Sequence, residues 1–328
     1  MTGSASNVRA IRVAAAQMRA ENGGRDSNLR KAAGLAEQAA KAGAQLIVLP
    51  EGTAAGYTLD RRMWDWAEPA GGPTEQWLTA LSKRLGVYLG IGLFEADGAD
   101  FYNTYVLAGP DGTVAGRVHK RRTEFAAFRA GDSPAFVDTP FGRIGMGICA
   151  DFHYVDMPGR LSEGNVDIVL MPHAWPAPVK VSKLVTEQDV RESRELVAGY
   201  AQFYARALGV PVVFADQTGP LAGRLGGFMG RLLDPAVFGY AGCSTIADSD
   251  GSARAQMGPE EGIIVADVTL DPSRKHFSAP KSYYGWLHPG EPLMRIVIMP
   301  LLIAEAKLSY SVSVERKRRA RQIASPAR

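Results

Sequence analysis

The run Leu46–Pro50, LIVLP, is apolar at every position. A strand presents side chains to both faces, so this run has no side that water can wet and must be covered twice. The residues before it supply one cover. Residues 27–42 carry Leu29, Ala32, Leu35, Ala36 and Ala39 at helical spacing, with Asp26 or Ser27 as cap and Gly43 as stop. The same alternation continues down the chain. IRVAAAQ (11–17), GVYLGIGLFE (86–95), RIGMGIC (143–149), VDIVLMP (166–172), VPVVFAD (210–216), CSTIAD (243–248) and GIIVADV (262–268) read as strands. NTYVLAGPDGTVAGRVHK (103–120) reads as a hairpin around Pro110-Asp111-Gly112. A helix over 74–85 and one long amphipathic helix over 187–208, capped by Thr186, fill the gaps. Strands alternating with helices predict an α/β fold with helices covering the sheets, and no linker divides the series. The glycine-rich segment 217–242 reads as a long loop, of the kind that is usually functional or mobile.

Composition narrows the class. With 46% hydrophobic and 22% charged residues in 328, a globular protein with a substantial core is expected. Lysine and arginine exceed aspartate and glutamate by 37 − 34 = 3, which argues for no nucleic-acid surface. No signal-type segment opens the sequence, and the apolar run IVIMPLLIA (296–304) falls short of the ~20 residues a membrane helix needs. Two cysteines make no disulfide framework, and without CxxC or HxxxH spacing they make no zinc site. A cytoplasmic enzyme with reduced thiols, no metal and no cofactor is the expectation.

Three strand ends carry chemistry. LIVLPEG delivers Glu51, GRVHKRR delivers Lys120 and MGICAD delivers Cys149. In α/β sheets, reacting residues lie beyond the carboxyl ends of strands. A thiolate is the attacking form of cysteine, a carboxylate can take its proton, and a fixed ammonium can stabilise an oxyanion. Each signal alone is bland: a buried cysteine, an ordinary strand exit, a surface lysine. Their conjunction is not.

In that order the blocks resemble the carbon–nitrogen hydrolases of the nitrilase superfamily over about residues 10–270. VAAAQM, GAQLIVLPEGTAAGYTL, VHKRR with FRAGD, GRIGMGICAD, VDIVLMPHAWP and RALGVPVVFADQTG are each similar to a family block. The resemblance implies a four-layer αββα sandwich and a Glu–Lys–Cys triad. Glu51 is then the general base, Lys120 the oxyanion stabiliser and Cys149 the nucleophile. Glu124, ahead of Phe128, fits the place of a second family glutamate, although only RRT separates it from Lys120. Tyr57, Phe152, His153, His173 and Trp175 fall where the family lines its substrate pocket. The resemblance divides the chain into a catalytic domain, 8–272, and a C-terminal extension, 273–328.

Substrate choice stays open. Family nitrilases place tryptophan and glutamate after the cysteine, whereas Ala150 and Asp151 stand here, as in amide hydrolases. A linear amide or carbamoyl group is therefore favoured, with water as co-substrate. A nitrile substrate, amide-forming acyl transfer and a non-catalytic binding role are the alternatives. A carbamoyl amino acid would need a cation, for which Arg129, Arg143 and Arg160 are candidates. Asp151 is kept, but FHYVD replaces the Pro-Glu signature common in the family. The resemblance also implies a homodimer or higher homo-oligomer, with the apolar run 293–304 as contact. The basic tail ERKRRARQ (315–322) reads as solvated and mobile.

Overall fold

The computed structural model describes residues 8–58, 60–123, 127–183, 185–223, 235–289, 296–297 and 299–325. Two six-stranded sheets face each other. The first takes β1 (Arg9–Gln17), β2 (Leu46–Val48), β3 (Tyr88–Asp97), β4 (Asp100–Ala108) and β5 (Val114–His119), with β15 (Gly262–Leu270) beside β1. The second runs β14 (Ala253–Gln256), β13 (Thr245–Ala247), β10 (Val212–Asp216), β8 (Ile168–His173), β7 (Gly142–Met146) and β6 (Ala135–Thr139). A small third sheet joins β11 (Thr218–Pro220), β12 (Phe238–Ala241) and β9 (Pro176–Pro178); β11 and β12 lie inside the stretch 217–242 expected to be loop, of which residues 224–234 lie outside the described residues.

The all-apolar strands are explained by this stacking. Along β1, Val13 and Ala15 join the core between the sheets, while Ala14 and Ala16 join the core under the helices α1 (Arg25–Lys41) and α2 (Pro73–Leu85). Leu46 and Val48 point inward and Ile47 and Leu49 outward in the same alternation. The second sheet repeats it. Val213 and Ala215 of β10 meet the first sheet, and Val212 and Phe214 meet α5 (Tyr200–Leu208) and its neighbours α3 (Asp156–Glu163) and α4 (Glu187–Ala198). The fold is therefore the expected α/β architecture of sheets flanked by helices, and the reason is that each central strand is buried on both faces.

Three local expectations change. The first helix begins at Arg25, ahead of the expected residue 27, with Gly24 as its cap and no side-chain cap hydrogen bond. Asn28 and Ser27 instead hold the preceding loop, through Glu21 and Gly24. The predicted single helix 187–208 is two helices broken at Gly199, which caps both; Thr186 does cap the first, its hydroxyl accepting from Asp189 N–H at 3.1 Å. The basic tail is ordered. Val314–Ala324 is a helix that packs on β3 and β4. Arg316, 4% exposed, forms an ion pair with Asp100 and donates to the Ala99 carbonyl at 2.6 Å. A buried arginine needs such partners, and Arg316 and Ala320, one turn apart, give the helix an inner face that a charge count does not reveal.

Parallel pairing aims the strand ends. β1, β2 and β3 run parallel, and β5, reversed twice through β4, runs the same way. In the second sheet β7, β8 and β10 run parallel. A bridge from Met18 to Gln217 and a hydrogen bond from Ala174 N–H to Glu51 join the two sets of carboxyl ends.

Candidate active site

Glu51 follows β2 in a turn that passes close to β3. Only glycine fits at Gly92, where an added Cβ would stand 2.4 Å from Gly52 N and 2.7 Å from the Glu51 Cα. That contact sets the Glu51 backbone against the sheet, and Gln217 Nε2 donates to its carbonyl at 2.6 Å. The Glu51 side chain is fully buried. Its Oε1 accepts from Lys120 Nζ at 2.8 Å and from Asn103 Nδ2 at 2.6 Å, and its Oε2 accepts from Ala174 N–H at 3.0 Å. A buried carboxylate is costly without partners, and these three donors come from three different segments.

Lys120 extends β5 by one residue and is 1% exposed. Its N–H donates to the Asn103 carbonyl at 2.8 Å, and its carbonyl accepts from Gly131 N–H at 2.8 Å. Its ammonium lies 5.7 Å from the centre of the Tyr57 ring. Asp151 pins the residues that follow. Its Oδ1 accepts from Arg121 N–H and Arg122 N–H at 3.0 and 2.8 Å, and its Oδ2 accepts from Ile148 N–H at 3.0 Å. Burial raises the Asp151 pKa, and the peptide donors and Lys120 oppose that rise. One aspartate thus ties the lysine segment to the cysteine turn.

Cys149 opens a short 3-10 turn, Cys149–His153, after the extended Ile148. Its φ is +44°, a conformation that costs a non-glycine residue of order 1–2 kcal/mol and that the surrounding packing must hold. The turn carries the backbone on from β7 and leaves Cys149 3% exposed. Cys149 Sγ and one ring nitrogen from each of His153 and His173 lie within 4.8 Å of one another. His173 ends β8, and the next residue is Ala174, whose N–H donates to Glu51. Cysteine and glutamate therefore meet around the His173–Ala174 peptide. Tyr240 adds another link: burial first, then the charges of Glu51, Asp216 and Cys149, push its hydroxyl well above the usual range.

The aromatic residues expected around the thiol are there in part. Trp175 lies tilted against His153, ring centres 4.1 Å apart, and stacks with His173 at 5.6 Å. Tyr57 is buried beside Lys120, its carbonyl accepting from the Tyr240 hydroxyl at 2.5 Å. Phe152 is fully buried in the core under α5, 5.7 Å from the His173 ring, with its carbonyl accepting from the hydroxyls of Tyr200 and Tyr204. His173 is held neutral: burial pulls its pKa down to about 3. Glu124 lies outside the described residues. Of the three candidate cations, Arg129 pairs with Asp100 and Arg143 with Asp138, both on half-exposed side chains, while Arg160 reaches the Asp132 carbonyl at 3.5 Å.

Four contributors escape a reading of the sequence. Asn103 sits inside an apolar strand, a polar interruption that was the available signal. Asp216 ends the apolar run VPVVFAD; its Oδ1 accepts from Trp175 N–H at 2.9 Å, and burial raises its pKa well above the ordinary carboxylate range. Gln217 carries no such mark. His288 comes from the C-terminal segment: Leu287 N–H donates to the His153 carbonyl at 2.9 Å, and His153 Nδ1 lies 3.1 Å from His288 Nε2.

Paired sheets between helices, with an acid, an amine and a thiol gathered at one edge, are the features of an αββα hydrolase. The family model for carbon–nitrogen hydrolases matches residues 12–275, and the chain belongs to that family. It is 30% identical to an omega-amidase, NIT2-B, of Xenopus laevis over 263 residues, covering 75% of this chain and 84% of that one. Among solved structures, a carbon–nitrogen hydrolase from Helicobacter pylori superposes with a TM-score of 0.69 at 21% identity, covering 81% of this chain and 91% of that one. An amidase from Nesterenkonia sp. AN1, with the acetamide moiety of fluoroacetamide added at its active-site cysteine, superposes with a TM-score of 0.64 at 20% identity, covering 80% and 91%. At these identities the solved structures establish the fold.

Proposed function

We propose that the protein hydrolyses a linear amide of a small molecule through a thioester on Cys149. The carrying observation is the Glu51 carboxylate, buried and held by Lys120, Asn103 and the Ala174 peptide beside the cysteine turn. Glu51 takes the thiol proton as sulfur attacks the amide carbon. The oxyanion gains hydrogen bonds from Lys120 and from the Ala150 N–H. Each such donor is typically worth ~10²–10³ in rate. Glu51 then gives its proton to the departing ammonia. Water, deprotonated by Glu51, attacks the thioester, and the acid leaves as the thiol is restored.

The amidase reading is supported by Ala150 and Asp151 after the cysteine and by the omega-amidases among the relatives. Nothing at the site favours a nitrile. His153, His173, Trp175 and Tyr57 form the walls around the acyl group, with Phe152 behind them, and Glu124 is the second carboxylate. Residues 8–272 act as the catalytic unit, with 273–328 as an extension that reaches back to His153. A cytoplasmic location accords with the free thiols. No described helix is long and apolar enough to cross a membrane. Leu301, Leu308 and Val312 are each about two-thirds exposed on the helix Met299–Val312, an apolar face that a second copy would cover in a homodimer.

The test is intact mass spectrometry during turnover of small amides, with ammonia measured alongside. An acyl adduct confined to Cys149 and ammonia release without an amine acceptor are expected. Adduct formation that needs an amine acceptor for turnover would make the enzyme a transferase instead.

A further inference from the structure

We propose that Cys149, His153 and His173 form a site for one Zn²⁺ ion, and that the ion switches the enzyme off by occupying the nucleophile. The three donor atoms lie within 4.8 Å of one another and all three residues are buried. Neither the spacing nor the cysteine count of the sequence suggests this, because His153 closes the cysteine turn and His173 arrives at the end of β8, twenty residues on.

His173 makes the case. Its Nδ1 lies 3.1 Å from the Met171 carbonyl, which can only accept, so the ring proton sits on Nδ1. The Nε2 lone pair is left bare, fully buried, with no hydrogen-bond partner among the described residues. An unpartnered buried acceptor is uncommon and asks for an explanation. A ring nitrogen of His173 also belongs to the donor cluster around Cys149. A carbonyl behind the imidazole is the usual outer partner of a metal-bound histidine, fixing its tautomer and orientation. His153 has an outer partner too, through its Nδ1 and His288.

The donor set selects the ion. One thiolate and two imidazoles suit Zn²⁺ better than Mg²⁺ or Ca²⁺, which prefer oxygen. Three protein ligands leave the fourth position to water. Tetrahedral bonds of ~2.0–2.3 Å put donors about 3.3–3.8 Å apart, so the side chains need draw in by no more than about 1–1.5 Å. On binding, the thiol proton goes to solvent and sulfur bonds to zinc. Sulfur so bound cannot attack a carbonyl carbon, and the ion also fills the acyl position. Inhibition rests on the proposed role of Cys149; binding does not.

Cobalt(II) reports the site directly. Titrated into the full-length protein, one equivalent is expected to produce a thiolate-to-cobalt charge-transfer band and the intense visible bands of tetrahedral cobalt, both removed by one equivalent of Zn²⁺. Cys243→Ser should keep the bands. Cys149→Ala should lose the charge-transfer band, and His173→Ala should weaken binding at least tenfold. On the unmutated protein, Zn²⁺ should slow alkylation of Cys149 at least tenfold and a chelator should reverse it, which covers the case of variants that fail to fold. Absence of the charge-transfer band, or its survival in Cys149→Ala, overturns the site. If the bands form while Zn²⁺ leaves amide hydrolysis untouched, the site stands and the nucleophile assignment falls. If hydrolysis is normal and no band forms, the metal site alone falls.

Discussion

The two cysteines make a natural experiment. Cys149 and Cys243 are equally buried, each at 3% exposure, and each follows or precedes a strand with a left-handed φ, +44° and +59°. Backbone strain and burial therefore do not distinguish a nucleophile. The neighbours do. Cys243 lies in the core under α4 and α5, its thiol 3.7 Å from the Ala241 carbonyl and pushed up in pKa by burial first. Cys149 has two imidazoles within reach, and the peptide one residue beyond His173 donates to the Glu51 carboxylate. An apolar pocket suppresses thiolate formation, whereas a polar one with a proton acceptor can use it.

Replacing each thiol breaks or confirms this contrast, and Cys149→Ala should show the largest effect. Ammonia release should fall by about 10⁴-fold or more while the melting temperature stays near that of the parent. Activity within tenfold of the parent would remove Cys149 from the chemistry. Glu51→Gln comes next. It keeps the volume and most of the hydrogen bonds but cannot take a proton, so kcat should drop by about 10²–10⁴-fold. Measured acylation rates should fall along with it; a loss confined to KM would assign Glu51 to binding alone.

A pH scan sharpens what surrounds the first cysteine. Because burial holds His173 at a pKa of about 3 against an ordinary 6.5, the unfolded chain binds the extra proton between those values. Its contribution is complete above about pH 6.5 and is lost as pH falls toward 3, at up to ~1.4 kcal/mol per pH unit. His173→Asn should flatten that acid limb in denaturant titrations, and an unchanged limb would mean the ring is not held neutral. The smallest effect belongs to Cys243→Ser. A buried hydroxyl in that pocket costs about 1–3 kcal/mol, read as a melting point lowered by several degrees, with kcat/KM within about twofold. A large loss of activity at normal stability would erase the contrast.

How much of this was legible beforehand depends on distance along the chain. LIVLP announced a strand buried on both faces, and the alternation of Leu46 and Val48 with Ile47 and Leu49 bears that out. The break at Gly199 was missed because periodicity carried across a residue that two helix ends share. The tail was misread because its charge outweighed two residues, Arg316 and Ala320, whose burial depends on a strand pair distant in sequence.

Local pattern determined the strands, the helices that cover them and three reactive residue types at strand ends. Such features depend on side chains within a turn or two, so periodicity and block order carry them. The tertiary structure alone decided that Asn103 and the Ala174 peptide would hold Glu51, that Asp151 would tie lysine to cysteine, and that His288 would return from the C-terminal segment. It also decided that His173 would approach Cys149 with an unpartnered ring nitrogen. Those pairings join residues whose spacing follows no period. They exist because two sheets stack with their carboxyl ends together, and burial there leaves each polar group dependent on what the other strands supply.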